Sequence, residues 1–142
     1  MKKLLVLFAA LLVLAGSAYA DGRKTPIAPD QLPKTAQVTI QKHWPSCAIL
    51  NAFQDRKKEY EVLLTDGCLI EFDKNGVWKE MKCTDGLPVT LVPVYITRYV
   101  VDHFPRILII DCEKMRNGYE VELSNGLEIQ FDLKGNVTHV DD

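Results

Sequence analysis

The 142-residue chain is poorly supplied with the groups that do chemistry. It has three serines, Ser17, Ser46 and Ser124, and none stands in a G-x-S-x-G turn, which excludes a serine-hydrolase elbow. Its three histidines, His43, His103 and His139, lie far apart, and no two cysteines form a C-x-x-C pair, so the spacing of a zinc site is missing. Positive charge is not in excess, with 17 Lys and Arg against 19 Asp and Glu. That leaves no basic stripe for nucleic acid and no polybasic patch for a membrane surface. "DKNGVWKE" at 73–80 lacks the alternating oxygen ligands and late glutamate of a calcium loop, and reads as a hairpin turn. No cofactor motif, metal set or catalytic constellation emerges.

What is present begins at the N-terminus. "MKKLLVLFAALLVLAGSAYA" carries two lysines, an apolar run and small residues at Ala18 and Ala20, the pattern of a secretory signal peptide cleaved before Asp21. The apolar run from Leu4 to Ala15 is short of the roughly 20 residues a spanning helix needs, so no membrane span is expected after cleavage. A periplasmic or secreted location follows. Loss of residues 1–20 removes two lysines and leaves 15 basic against 19 acidic residues, a net charge of −4. Cys47, Cys68, Cys83 and Cys112 form an even set in an exported chain, which favours disulfides. Free buried thiols are the alternative, and four cysteines permit three pairings.

The dominant feature is self-similarity. "LPKTAQVTIQKHWP" at 32–45 aligns without a gap on "VPVYITRYVVDHFP" at 92–105, offset by 60. Downstream the offset becomes 59: "YEVLLTDG" at 60–67 matches "YEVELSNG" at 119–126, and "IEFDKNG" at 70–76 matches "IQFDLKG" at 129–135. Each copy opens on a helix. Pro33 and Pro93 suit a first turn, and Pro45 and Pro105 close it. Leu32, Ala36, Ile40 and Trp44, and likewise Val92, Ile96, Val100 and Phe104, recur every four residues as one apolar stripe.

Strands follow at 47–53 and 107–113, and then period-two alternation, as in Tyr119, Val121 and Leu123 against Glu120 and Glu122. Asp66-Gly67 and Asn125-Gly126 predict type I′ hairpin turns, with positive φ at both residues. The expected architecture is α+β: a tandem repeat of a helix plus a four-stranded antiparallel meander, with the helices packed on one face of a curved sheet. The repeats span 32–84 and 92–142. Residues 21–31, polar and proline-containing, are expected to form a flexible arm. A lone 60-residue unit is marginal, and two units sharing one sheet give a joint core.

These motifs, Leu32-Pro33, Trp44-Pro45, Phe104-Pro105, the two YEV stretches and the two FD–G turns, resemble the PepSY-like or beta-lactamase-inhibitor-like family of exported Bacteroidota proteins. The resemblance covers most of 32–142. It implies the tandem fold, an open sheet face that binds proteins in the namesake inhibitors, and no catalytic residues.

The two copies differ on the wet face. Leu63 takes the place of Glu122 and Leu69 the place of Glu128, between Glu61 and Glu71. An exposed apolar spot rimmed by carboxylates predicts a partner surface at Leu63, Leu69, Glu61 and Glu71. Coverage by the arm or by the 85–93 connector is the competing reading. Cys68 is expected inward, Trp78 packed, and His43 and His103 near helix ends, where a histidine interacts well with the dipole. The leading expectation is an exported, non-enzymatic module that binds a protein or peptide partner. The alternative is a carrier of a small apolar or peptide ligand between helices and sheet.

Overall fold

A computed structural model describes residues 24–142, so the predicted signal peptide and residues 21–23 lie outside the described residues. The elements, in order, are β1 (Lys24–Ile27), a 3-10 turn (Pro29–Gln31), α1 (Lys34–His43), β2 (Ile49–Asp55), β3 (Tyr60–Leu64), β4 (Leu69–Phe72), β5 (Trp78–Lys82), α2 (Val94–His103), β6 (Ile109–Met115), β7 (Gly118–Leu123), β8 (Glu128–Asp132) and β9 (Val137–Asp141). Among the described residues the fold is α+β, with two helices and one open antiparallel sheet of nine strands whose spatial order equals chain order.

The helices start one residue later than the proline pattern suggests. Pro33 and Pro93 are N-caps, with φ of −53° and −51°, and their carbonyls accept from the amides of Gln37 and Thr97 at 3.1 and 3.2 Å. Each helix closes where an aromatic residue's amide (Trp44, Phe104) donates to the carbonyl four residues back at 2.8 Å, just ahead of a proline. The apolar stripes meet the sheet as expected. Leu32, Ala36, Ile40, Trp44, Val92, Ile96 and Val100 are all buried, and Phe104 packs half-buried beside them. Opposite them runs one register row across seven strands: Ala52, Val62, Ile70, Met81, Cys112, Val121 and Ile129. Full burial of such side chains contributes about 1.5–3 kcal/mol each.

Three expectations are corrected. Residues 24–27 are not a loose arm. They pair as an edge strand with β2, from Lys24↔Asp55 to Ile27↔Ala52, and Lys24 Nζ donates to Glu61 Oε2 at 2.7 Å. A polar, proline-containing stretch can hold an edge because only one of its sides needs hydrogen bonds.

The hairpin turns are not type I′. Gly67 and Gly126 have φ of 90° and 93°, but neither Asp66 nor Asn125 is among the residues with positive φ. Gly67 N–H donates to Leu64 O, and Leu64 N–H to Cys68 O, which makes a three-residue loop with glycine alone in the left-handed position. Asp66 and Asn125 act through their side chains, each accepting from the amide two residues on.

Leu63 and Leu69 do lie on the face away from the helices, but they are not exposed. At 9% and 7% exposure they form a small buried cluster of their own. They pair with each other in register, between Asn51 and Lys82.

Of the cysteines, Cys68 and Cys83 form a disulfide that staples the start of β4 to the end of β5 on the core side. Cys47 and Cys112 are free thiols. Trp78 is packed, with Lys114 Nζ 4.2 Å above its ring.

Two stability predictions follow from this packing. Leu63→Glu with Leu69→Glu places two carboxylates in a buried cluster, and is expected to cost about 3 kcal/mol or more, read as a lowered urea midpoint. Gly118 opposes Asp132, and a Cβ there would overlap the Phe131 carbonyl. Gly118→Ala is expected to cost about 2–4 kcal/mol in the same titration.

Candidate functional site

The face of the sheet that the helices leave uncovered is built by alternation. Every strand that sends an apolar residue into the core sends the next one outward. Antiparallel register then lines these outward residues into rows. One row reads Pro26, Phe53, Glu61, Glu71, Glu80, Glu113, Glu120, Gln130 and His139 across all nine strands. Five glutamates therefore occupy five adjacent strands, spaced by the inter-strand distance of about 4.8 Å. The row beside it carries Asn51, Leu63, Leu69, Lys82, Asp111, Glu122, Glu128 and Asp141.

Cations meet this strip mainly at one end. Lys24 pairs with Glu61 at 2.7 Å, Lys79 with the neighbouring Glu59 at 2.9 Å, and Lys82 reaches Glu80 only at 3.8 Å. At the far end Gln130 Nε2 donates to Glu120 Oε2 at 2.8 Å. A cavity of about 30 Å³ beside Lys24, Phe53, Glu61, Glu71 and Lys79 has room for a water molecule.

The carboxylates in the middle are partly desolvated and crowded by one another. Burial, then a hydrogen bond donated to the Asp111 carboxylate and the negative charge of Asp111, pushes the Glu80 carboxyl up to about 7; the Glu71 hydrogen bond and the Lys82 charge act in the opposite direction. Burial raises Glu71, with the neighbouring Glu80 adding to the effect. Burial raises Glu113 too, assisted by Glu120 and Glu71. Two carboxyls in contact cannot both ionise cheaply, so Glu71 and Glu80 hold a proton between them near neutral pH.

Of the residues expected to make a partner surface, Glu61 and Glu71 belong to this strip. Leu63 and Leu69 sit next to it as a buried floor. Sequence reasoning treated the glutamates of the YEVEL strand as the polar side of a strand, and missed Glu80, Glu113 and Asp111 as parts of one strip. The signal lay in the register between β5 and β6, Glu80↔Glu113 and Lys82↔Asp111, which joins chain segments about thirty residues apart and which no single strand displays.

The two aligned histidines have local roles. His43 Nδ1 lies 2.7 Å from Thr90 Oγ1, and His103 stacks on Tyr99 with ring centroids 4.0 Å apart. On the helix side, an open groove of about 550 Å³ runs between α1 and β2, lined by Pro29, Gln37, Ile40, Trp44, Cys47 and Ile49 among others. No helix among the described residues is long and apolar enough to cross a membrane.

Comparison with known proteins places this architecture. Residues 58–139 match the family model described as "Putative beta-lactamase-inhibitor-like, PepSY-like". Comparison with curated proteins finds no match. Among solved structures, a Bacteroides thetaiotaomicron protein described as a "putative calcium-regulated periplasmic protein" is 35% identical with a TM-score of 0.80, over 84% of this chain and 97% of that one. A periplasmic protein of the DUF2874 family from Bacteroides vulgatus is 38% identical with a TM-score of 0.78, over the same shares. A second Bacteroides vulgatus periplasmic protein, of unknown function, is 30% identical with a TM-score of 0.77, over 84% and 99%. The matched motifs, the shared sheet and these identities agree: the chain belongs to the PepSY-like, beta-lactamase-inhibitor-like family of periplasmic proteins.

Proposed function

We propose that the protein is an exported, non-enzymatic binding module that recognises a protein or peptide through the open face of its sheet, selecting a basic segment. The observation that carries this reading is the strip of five glutamates in register on β3 to β7. A segment laid across the strands would meet a carboxylate at each strand spacing. Lys and Arg side chains are the complement of such a surface, and the match governs selectivity and on-rate. The Bacteroides thetaiotaomicron relative is described as calcium-regulated. Among the described residues no group of three or more His, Cys, Asp or Glu side chains is set to hold a metal ion.

The same reading takes the two halves as duplicated units. The element order from Lys34 onward, a helix and four strands twice over, supports it. So does the loop that shortens from three residues at 56–58 to two at 116–117, where the sequence offset drops by one. A second functional reading, carriage of a small apolar ligand, has one observation in its favour: the groove between α1 and β2, with Ile40, Trp44 and Ile49 in its lining.

The direct test is binding of a lysine-rich peptide and of an alanine-substituted control to the exported protein by calorimetry, at low and at 0.3 M salt. Charge-selective binding that weakens with salt, and weakens about tenfold or more in Glu80→Gln/Glu113→Gln, supports the strip. Equal affinity for both peptides, or binding unaltered by the double change, removes it.

Protonation gives a second prediction. Since Glu80 titrates at about 7 when folded and near 4.5 when unfolded, the folded chain holds the extra proton between those values. Stability therefore falls as pH rises through that window. Glu80→Gln is expected to raise Tm by about 2–4 °C at pH 8 and to leave it unchanged at pH 4, as calorimetric scans at the two pH values would show. Binding of the basic peptide runs the other way, and should tighten several-fold from pH 6 to pH 8.

A further inference from the structure

Beside the β6–β7 turn, the sheet holds an open cleft of about 340 Å³, with Met115, Gly118, Gln130 and Thr138 among its lining residues. Met115 opposes Gly118 in register, and Thr138 Oγ1 donates to the Gln130 carbonyl at 3.4 Å. At the offsets of 60 and then 59 residues, the corresponding positions of the first half are Asp55, Glu59, Glu71 and Lys79. All four line the first half's cavity of only about 30 Å³. There Lys79 Nζ donates to both carboxylate oxygens of Glu59, at 3.0 and 2.9 Å. In the second half every one of these charged residues is replaced by an uncharged one. Glycine and threonine cannot form the ion pair, and the corner stands open. A side chain cannot return at 118, since a Cβ there would overlap the Phe131 carbonyl, so backbone forms part of the cleft's wall. The charges at the rim, Arg116 and Asp132, have counterparts in Arg56 and Asp73 and do not distinguish the halves.

We propose that this cleft is a specificity pocket that takes one apolar side chain, of about leucine size, from the basic segment held by the glutamate strip. This role rests on the strip acting as the binding surface. Gln130 links the two. It stands in the strip's row beside Glu120, to which its Nε2 donates at 2.8 Å, and it also lines the cleft. Met115 and Gly118 lie two residues along β6 and β7 from Glu113 and Glu120, on the same face and roughly 7 Å away. A segment whose basic residues meet Glu113 and Glu120 therefore brings a neighbouring side chain to the mouth of the cleft. Replacement of four charged positions by neutral ones suits an apolar group there. The Met115 thioether, 45% exposed, is a polarizable and adaptable wall for it. The Asp132 carboxylate is already held by its own turn, accepting from the Lys134 and Asn136 amides at 2.9 Å and from Asn136 Nδ2 at 3.0 Å.

The test uses two lysine-rich peptides, one with leucine at both ends and one with alanine there. Each is titrated calorimetrically into the exported protein and into Met115→Asp/Thr138→Lys, at low and at high salt. That double change copies the first half at two exposed positions and adds no net charge. The leucine peptide is expected to bind the wild type about fivefold or more tightly than the alanine peptide. Salt should weaken both and leave their ratio unchanged, because the difference between them is apolar burial. In the double variant the two peptides should bind alike. Equal affinities for the wild type, with binding still weakened by salt, overturn the cleft and leave the strip standing. A leucine preference that survives in the double variant overturns the cleft as well. Failure of both peptides to bind the wild type removes the strip, and the cleft's role with it.

Discussion

The pairing of β5 with β6 is the constraint on which the rest of the molecule depends. It is the one place where the first five strands join the last four, through Glu80↔Glu113, Met81↔Cys112 and Lys82↔Asp111. The connector adds Cys83 N–H to Ile110 O and Leu87 N–H to Ile109 O, both at 2.9 Å. Met81 and Cys112, both fully buried, complete the apolar row at the centre of the sheet. The same three register pairs bring Glu80, Glu113, Lys82 and Asp111 together on the opposite face. One seam thus creates both the continuous core and the continuous carboxylate strip.

That coincidence explains why the strip costs stability. A register set by the core has no freedom to separate glutamates on the other face, because a one-residue slip would turn every core residue outward. The glutamates are therefore held together by hydrophobic burial, which far exceeds their mutual repulsion.

Local patterns were legible in the sequence, and cross-strand geometry was not. The four-residue spacing of Leu32, Ala36, Ile40 and Trp44 identified a helix stripe that the structure buries intact. Alternation assigned Leu63 and Leu69 to the correct face. Their exposure was misjudged because it depends on neighbours two strands away, and Lys82 beside them is itself largely covered. The strand at Lys24–Ile27 escaped notice for the same reason: its stability comes from β2 and Glu61, not from its own composition. Turn chemistry fell in between. The dipeptides marked the corners, while the loop of the first hairpin takes in Thr65 as a third residue.

Spatial order equal to chain order has a consequence for how the molecule comes into being. Each strand finds its partner in the strand made just before it, with α1 interposed between β1 and β2 and α2 between β5 and β6. Most backbone closures are short, so the entropy of closing a long loop is met twice, where α1 separates β1 from β2 and where α2 separates β5 from β6. A chain delivered from its N-terminus can lay down β2 to β5 one after another, and then wait with a bare strand edge until roughly thirty more residues arrive.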